Sequence, residues 1–191
     1  VPDSLLKELC ACLEQAPEAG QHIISANEGG AVALALGYHL ATRKIPLIYL
    51  QNSGLGNIIN PLLSLADTDV YSVPLLLVIG WRGEPGVHDE PQHKKQGRVM
   101  LSMLEAMEIP YSILGPEMND AGGSVSEALA YVRKNNAPFA LVVKKGTFST
   151  FTGDKKKAAA FELTREAAIQ QVLGFLDERD VVVSTTGMAS R

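Results

Sequence analysis

The most constraining feature of this chain is a run of six residues with no polar interruption, Leu75–Leu76–Leu77–Val78–Ile79–Gly80. A strand facing water on one side alternates apolar and polar residues, whereas this run is apolar at every position. It therefore predicts a strand buried on both faces, as in a parallel sheet covered by helices on each side. Other apolar runs repeat the theme at 22–26, 46–51, 111–114 and 139–144. Between them lie stretches with helical spacing, predicted at 28–42, 57–66, 92–107 and 124–135. The alternation predicts an α/β fold, a parallel sheet with helices on both faces.

At the N-terminal end, Leu5, Leu6, Leu9 and Leu13 recur at helical spacing. Asp3 or Ser4 is placed to cap that helix, and it should stop before Pro17. The helix over 28–42 carries Ala31, Ala33, Ala35 and Gly37, small residues that permit close packing. Residues 147–163 read as a linker region that includes Lys155–Lys156–Lys157, a solvated charge run. Thr164 is the expected cap of a last helix ending near residue 176. A strand is expected at 181–185, followed by a turn at Thr186–Gly187. The expected organisation is one domain over 1–146, the linker over 147–163, and a further segment over 164–191 that opens a second domain.

Composition excludes some partners. The net charge of −4 offers no basic footprint for nucleic acid or for an anionic membrane surface. No apolar run reaches the ~18–20 residues that span a bilayer, and the N-terminus has no basic region followed by an apolar stretch. Cys10 and Cys12 stand two apart on a helix and so face different ways, which points to structural thiols and a cytoplasmic, reducing setting.

In an open parallel sheet, ligands bind beyond the carboxyl ends of the strands. Three such ends carry unusual polar sequences: Asn27–Glu28–Gly29–Gly30, Gln51–Asn52–Ser53–Gly54–Leu55–Gly56–Asn57, and the stretch from Trp81 to His93. Glu28 opens a helix, where a carboxylate complements the helix dipole with no further role needed. Its small, apolar neighbours also suggest desolvation, which favours the neutral acid and suits proton exchange near neutral pH. The Gly54–Leu55–Gly56 turn has G-x-G but Ile59 where the third glycine of a dinucleotide fingerprint belongs. It reads as a tight turn, or as a place where the backbone approaches a flat ligand. Ser53 lacks the G-x-S-x-G elbow of a hydrolase nucleophile. His88 and His93 stand five apart across Pro91, which is not a helical metal pair, so no metal ligands are assigned. In that stretch Arg82 is the natural anion clamp, and the histidines are donors for a substrate.

Together these three segments, with Asp89–Glu90–Pro91–Gln92–His93 and Gln96–Gly97–Arg98, resemble the phosphonopyruvate decarboxylase family of thiamine-diphosphate-dependent decarboxylases. The first two are also similar to the related sulfopyruvate decarboxylases. The resemblance implies the pyrimidine-binding domain of a thiamine-diphosphate (ThDP)-binding fold. It implies ThDP and Mg²⁺ as cofactors, a 2-oxoacid such as 3-phosphonopyruvate as substrate, and CO₂ release as the reaction. Glu28 would then bind the aminopyrimidine and promote its role as a base, with Asn27, Gln51, Asn52, Ser53 and Gly54 beside the cofactor and Arg82, His88 and His93 toward the substrate. It also implies an oligomer, in which a pyrophosphate-binding domain of another subunit completes each site. The family's GDG motif with its downstream Asn is not in these residues. The chain alone is therefore expected to be inactive, with Mg²⁺ held by the other domain. A competing reading is a non-catalytic, flavodoxin-like binding module in which Glu28 is only a helix-start acid.

Overall fold

The computed structural model describes residues 3–15, 22–153 and 162–183. The chain separates into two compact units, Val1–Gly153 and Asp154–Arg191.

In the first unit the elements run α1 (Lys7–Glu14), α2 (Glu28–Thr42), β1 (Leu47–Gln51), a short helix α3 (Ile59–Pro61), β2 (Leu75–Gly80), α4 (Pro91–Ala106), β3 (Tyr111–Leu114), α5 (Ala121–Asn135) and β4 (Pro138–Val143). The four strands form one sheet in the order β1-β2-β4-β3, and every neighbouring pair is parallel. In register, Gln51 lies opposite Gly80, Gly80 opposite Val143, and Leu114 opposite Val143. All four carboxyl ends therefore finish level and form one rim.

The unbroken apolar runs are explained by the two cores. Alternate residues of β2 point to opposite faces. Leu75, Leu77 and Ile79 join Ile48, Leu50 and Val142 against Val32 of α2 and Met100 and Leu104 of α4. Leu76 and Val78 join Tyr49, Phe139, Leu141 and Val143 against Leu6, Leu9 and, from α5, Ala128 and Val132. β2 and β4 are buried at every position. Each such leucine or valine contributes about 1.5–3 kcal/mol by leaving water.

The helix boundaries have local causes. Asn27 caps α2 through Oδ1, which accepts from the Gly30 N–H at 2.7 Å. Arg43 ends α2 in the left-handed conformation (φ 61°), its N–H donating to the His39 carbonyl. Asp120 caps α5 by accepting from Gly123 N–H at 2.7 Å, so that helix starts at Ala121 rather than at 124. α1 is not capped by a side chain, because Asp3 turns inward instead.

Three expectations are corrected. Residues 22–26 form no strand, and Ile23 and Ile24 are 60% and 58% exposed. β1 is the sheet edge and does not pair with them, and an apolar run without a ladder partner is not a strand. The expected helix over 57–66 is broken into a 3₁₀ turn (Asn52–Asn57), α3 and a π turn (Leu62–Ala66). Pro61 supplies no N–H to a helical ladder, which disrupts the middle of the segment. Residues 181–183, the described part of the expected last strand, are exposed and not in a strand. Thr186–Gly187, Lys155–Lys157 and Pro17 lie outside the described residues. In the second unit, α6 (Arg165–Leu173) is capped as expected, Thr164 Oγ1 accepting from Ala167 N–H at 3.1 Å.

Candidate functional site

The polar segments gather at the carboxyl-end rim. Glu28 is the first residue of α2 and is half-buried. Its Oε2 accepts from the Asn57 side-chain amide at 2.8 Å. The surroundings are thus less apolar than the small-residue sequence suggested. Gly54 lies directly against the carboxylate. A Cβ there would fall 2.6–2.7 Å from Glu28 Cγ, Cδ and Oε1. Among the described residues, Oε1 has no hydrogen-bond donor. Glu28 is therefore held on one oxygen and open on the other, beside a residue with no side chain.

Gln51 ends β1 and links two neighbours. Its Nε2 donates to Asp3 Oδ1 at 2.8 Å, and its Oε1 accepts from Ser53 Oγ at 2.6 Å. Asp3 is only 6% exposed and also accepts from the Leu5 N–H at 3.2 Å. It lies over the end of β2, where a Cβ on Gly80 would collide with its Oδ2. Buried carboxylates need partners, and Asp3 has two donors at the rim.

Asn52, 2% exposed, bridges the ends of β1 and β2. Its amide donates to the Arg82 carbonyl at 2.7 Å and its Oδ1 accepts from the Arg82 N–H at 3.1 Å. The side chain thus acts as a rung between two loops. Asn27 is committed in the same way, to the cap of α2.

Arg82 closes a second constellation. Its Nε donates to Asp89 Oδ2 at 2.8 Å, its Nη2 to Asp89 Oδ1, and its Nη1 to Ser4 Oγ at 3.0 Å. Asp89 also accepts from the Gly83 and Glu90 N–H groups, each at 2.8 Å. The hydrogen bonds from Arg82, aided by those backbone donors, hold the Asp89 carboxyl well below the usual carboxylate range although burial opposes them. The Arg82 guanidinium is correspondingly raised, chiefly by its bond to Asp89. Three of its five N–H groups are taken, and two remain for a ligand.

His88 lines a cavity at this rim. His93, in the first turn of α4, has a buried Nδ1 with no hydrogen-bond partner among the described residues. The loop and helix meet closely there. Gly83 (φ 69°) has no room for a Cβ against the His93 carbonyl, nor has Gly97 against the Gly83 carbonyl. Among the described residues no group of three His, Cys, Asp or Glu side chains is placed to hold a metal ion, and no helix is long and apolar enough to cross a membrane.

The structure therefore brings Glu28 together with Gly54, joins Gln51 to Ser53, and ties Asn52 to Arg82. Asp3 and Asn57 were not recognised from sequence. Asp3 looked like a helix cap, and Asn57 like the polar start of a helix.

Residues 1–108 match the family model described as thiamine pyrophosphate enzyme, N-terminal TPP binding domain. The chain is 30% identical over 206 residues to the phosphonopyruvate decarboxylase of Streptomyces viridochromogenes, covering 100% of this chain and 51% of that protein. It is 31% identical over 189 residues to the Streptomyces hygroscopicus phosphonopyruvate decarboxylase, covering 91% and 46%. It is 33% identical over 143 residues to the sulfopyruvate decarboxylase subunit alpha of Methanocaldococcus jannaschii, covering 74% and 80%. The chain thus spans about half the length of the phosphonopyruvate decarboxylases it matches. On the family match, which covers more than half of its residues, the chain belongs to the thiamine pyrophosphate enzymes as an N-terminal TPP-binding domain.

Proposed function

We propose that this chain is the pyrimidine-binding part of a ThDP-dependent 2-oxoacid decarboxylase, a carboxy-lyase acting on 3-phosphonopyruvate to give phosphonoacetaldehyde and CO₂. The observation that carries this is the Glu28–Gly54 contact. A carboxylate fixed through one oxygen by Asn57, open on the other, and next to a residue without a side chain fits the edge of a flat aminopyrimidine. When bound, ThDP supplies the electron sink that a 2-oxoacid needs to lose CO₂. Glu28 holds a proton at the pyrimidine edge. Gln51, Ser53 and Gly54 line the approach, while Asn27 and Asn52 position the two loops around it.

His88 and His93 are the proposed groups toward the substrate. The Nδ1 of His93, without a partner among the described residues, supports that role, since buried polar nitrogens are normally bonded. Arg82 contributes its two remaining donors and holds its loop through Asp89.

The phosphonate reading rests on the two phosphonopyruvate decarboxylases, whose similarity extends over most of this chain. The sulfopyruvate decarboxylase relatives favour a second reading, a subunit acting on sulfopyruvate. In both, the diphosphate and Mg²⁺ are held by a pyrophosphate-binding domain of another subunit, and the working enzyme is an oligomer. The exposed Leu34 and Leu40 of α2 support a subunit contact there. The free thiols Cys10 and Cys12 support a cytoplasmic setting.

The test is turnover by the full-length protein with ThDP and Mg²⁺, following aldehyde and CO₂ from 3-phosphonopyruvate and from sulfopyruvate. A kcat/KM at least tenfold higher for 3-phosphonopyruvate is expected. The opposite preference would assign the sulfonate substrate, and turnover of neither would remove the decarboxylase reading in favour of a binding module.

A further inference from the structure

The cavity beside Arg82 has a volume of about 500 Å³ and opens among Ser4, Arg82, His88, Lys145, Gly146 and Thr150. Its charges are nearly all accounted for. Lys7 pairs with Glu8 at 3.4 Å, and Glu8 also accepts from the Phe151 N–H at 2.6 Å. Arg82 is closed on Asp89. Glu84 is bound by Lys144 at 3.0 Å, which in turn also reaches Glu117 at 3.5 Å. Lys145 is the exception: its ammonium has no hydrogen-bond or ion partner among the described residues, although it lines the same cavity.

The turn that carries it adds two further donors. Beyond the end of β4, Lys144 N–H donates to the Leu114 carbonyl and Thr147 N–H to the Lys144 carbonyl. The N–H groups of Lys145 and Gly146 between them have no acceptor among the described residues. Gly146 has φ 85°, a conformation costly for a residue with a side chain, so this turn is specifically shaped. One uncompensated cation and two free backbone amides on one turn are chemistry for a small anion. The cavity connects to the turn beside Glu28 through one residue: Arg82, in its wall, is bonded through its backbone to Asn52, two residues from Gly54.

We infer that Lys145, with the amides of its turn, is the specificity-determining contact for the distal anionic group of the 2-oxoacid, a phosphonate or sulfonate. The inference rests on the decarboxylase reading for the identity of the substrate, and on the cavity alone for the anion. Lysine suits the task because its ammonium is a compact point charge on a flexible stem. Arg82 is less available, since its planar fork is already matched to Asp89.

The test uses the full-length protein and its Lys145→Ala and Lys145→Arg variants. Lys145 is exposed, so neither substitution disturbs the core. Two readouts are needed: KM and kcat for 3-phosphonopyruvate and for pyruvate, which lacks the distal anion, and calorimetric binding of phosphonoacetate. Lys145→Ala should raise KM for 3-phosphonopyruvate roughly tenfold or more, the scale of one charge-assisted hydrogen bond. It should weaken phosphonoacetate to a similar degree and leave kcat and the pyruvate constants nearly unchanged, and Lys145→Arg should restore most of the loss. Decarboxylation with KM and phosphonoacetate affinity both indifferent to Lys145→Ala would overturn the inference and leave the function standing. Lys145-dependent binding of phosphonoacetate by a protein that decarboxylates nothing would support the anion site and overturn the function instead.

Discussion

At Gly54 the absence of a side chain sets the position of a carboxylate. A Cβ at that position would lie 2.6–2.7 Å from the end of Glu28, too close for any real contact. The neighbour is a flexible side chain rather than backbone, so in Gly54→Ala the carboxylate should swing aside while the fold survives. Stability should fall by about 1 kcal/mol, the centre of the range for single substitutions and well short of the loss from a core cavity. Turnover of the full-length enzyme should fall about 10²-fold, the scale set by misplacing a reacting group by an ångström. Thermal unfolding measured beside kcat checks this, and a large loss of stability with unchanged kcat would refute it. Glu28 was legible from sequence as a type: an acid at a helix start, in a polar segment among apolar ones. Its partner Asn57 was not, because it lies 29 positions away. The same holds for Asp3, which meets Gln51 across 48 positions. Local patterns favour the reading of Asp3 as a cap, and only the folded rim reveals it as a buried, hydrogen-bonded acid.

Among the elements, the segment from Trp81 to Glu90 is irregular yet strongly determined. Trp81 donates through its backbone to Val143 and through its indole to Gly97, each at 2.9 Å. Asp89 collects four donors, two from Arg82 and two from backbone. Asp89→Asn should cost about 2 kcal/mol of stability, as expected for charge-assisted bonds to a largely buried acid. Because the folded carboxyl titrates below its unfolded value, the charge-linked contribution is full above the unfolded pKa, about 3.9. It is lost as pH falls through that value toward the folded one. The gap between wild type and variant should therefore be constant from pH 7 to pH 5 and narrow below about pH 4. Urea unfolding at several pH values measures it, and a gap that widens on acidification would contradict the ion pair. Sequence pattern recovered α2, β2, β3 and α4 closely because each has an uninterrupted period. It failed at 57–66, where Pro61 disrupts a helical pattern whose core-facing residues Ile58, Leu62 and Ala66 are still buried. It failed also at 22–26, since apolarity predicts burial but does not supply a neighbouring strand.

For the whole molecule, the parallel sheet followed from runs such as Leu75–Gly80, because no one-sided strand is apolar throughout. Strand order did not follow. β4 is inserted between β2 and β3, and nothing local in residues 138–143 distinguishes an inner strand of one order from another. What that order produces is a level rim, where Gln51 bonds Asp3 and Ser53, Asn52 bonds Arg82, and Glu28 lies against Gly54 of the turn after β1. The central claim is that Glu28 serves chemistry there rather than the helix dipole alone. The most direct measurement is kcat of the full-length protein with ThDP, Mg²⁺ and 3-phosphonopyruvate, wild type against Glu28→Gln, with thermal unfolding as the control. A fall of about 10²–10⁴, the range for an essential acid–base group, with unfolding nearly unchanged is the expected result. Near-normal turnover by Glu28→Gln would contradict the assignment and reduce Glu28 to a helix-start acid.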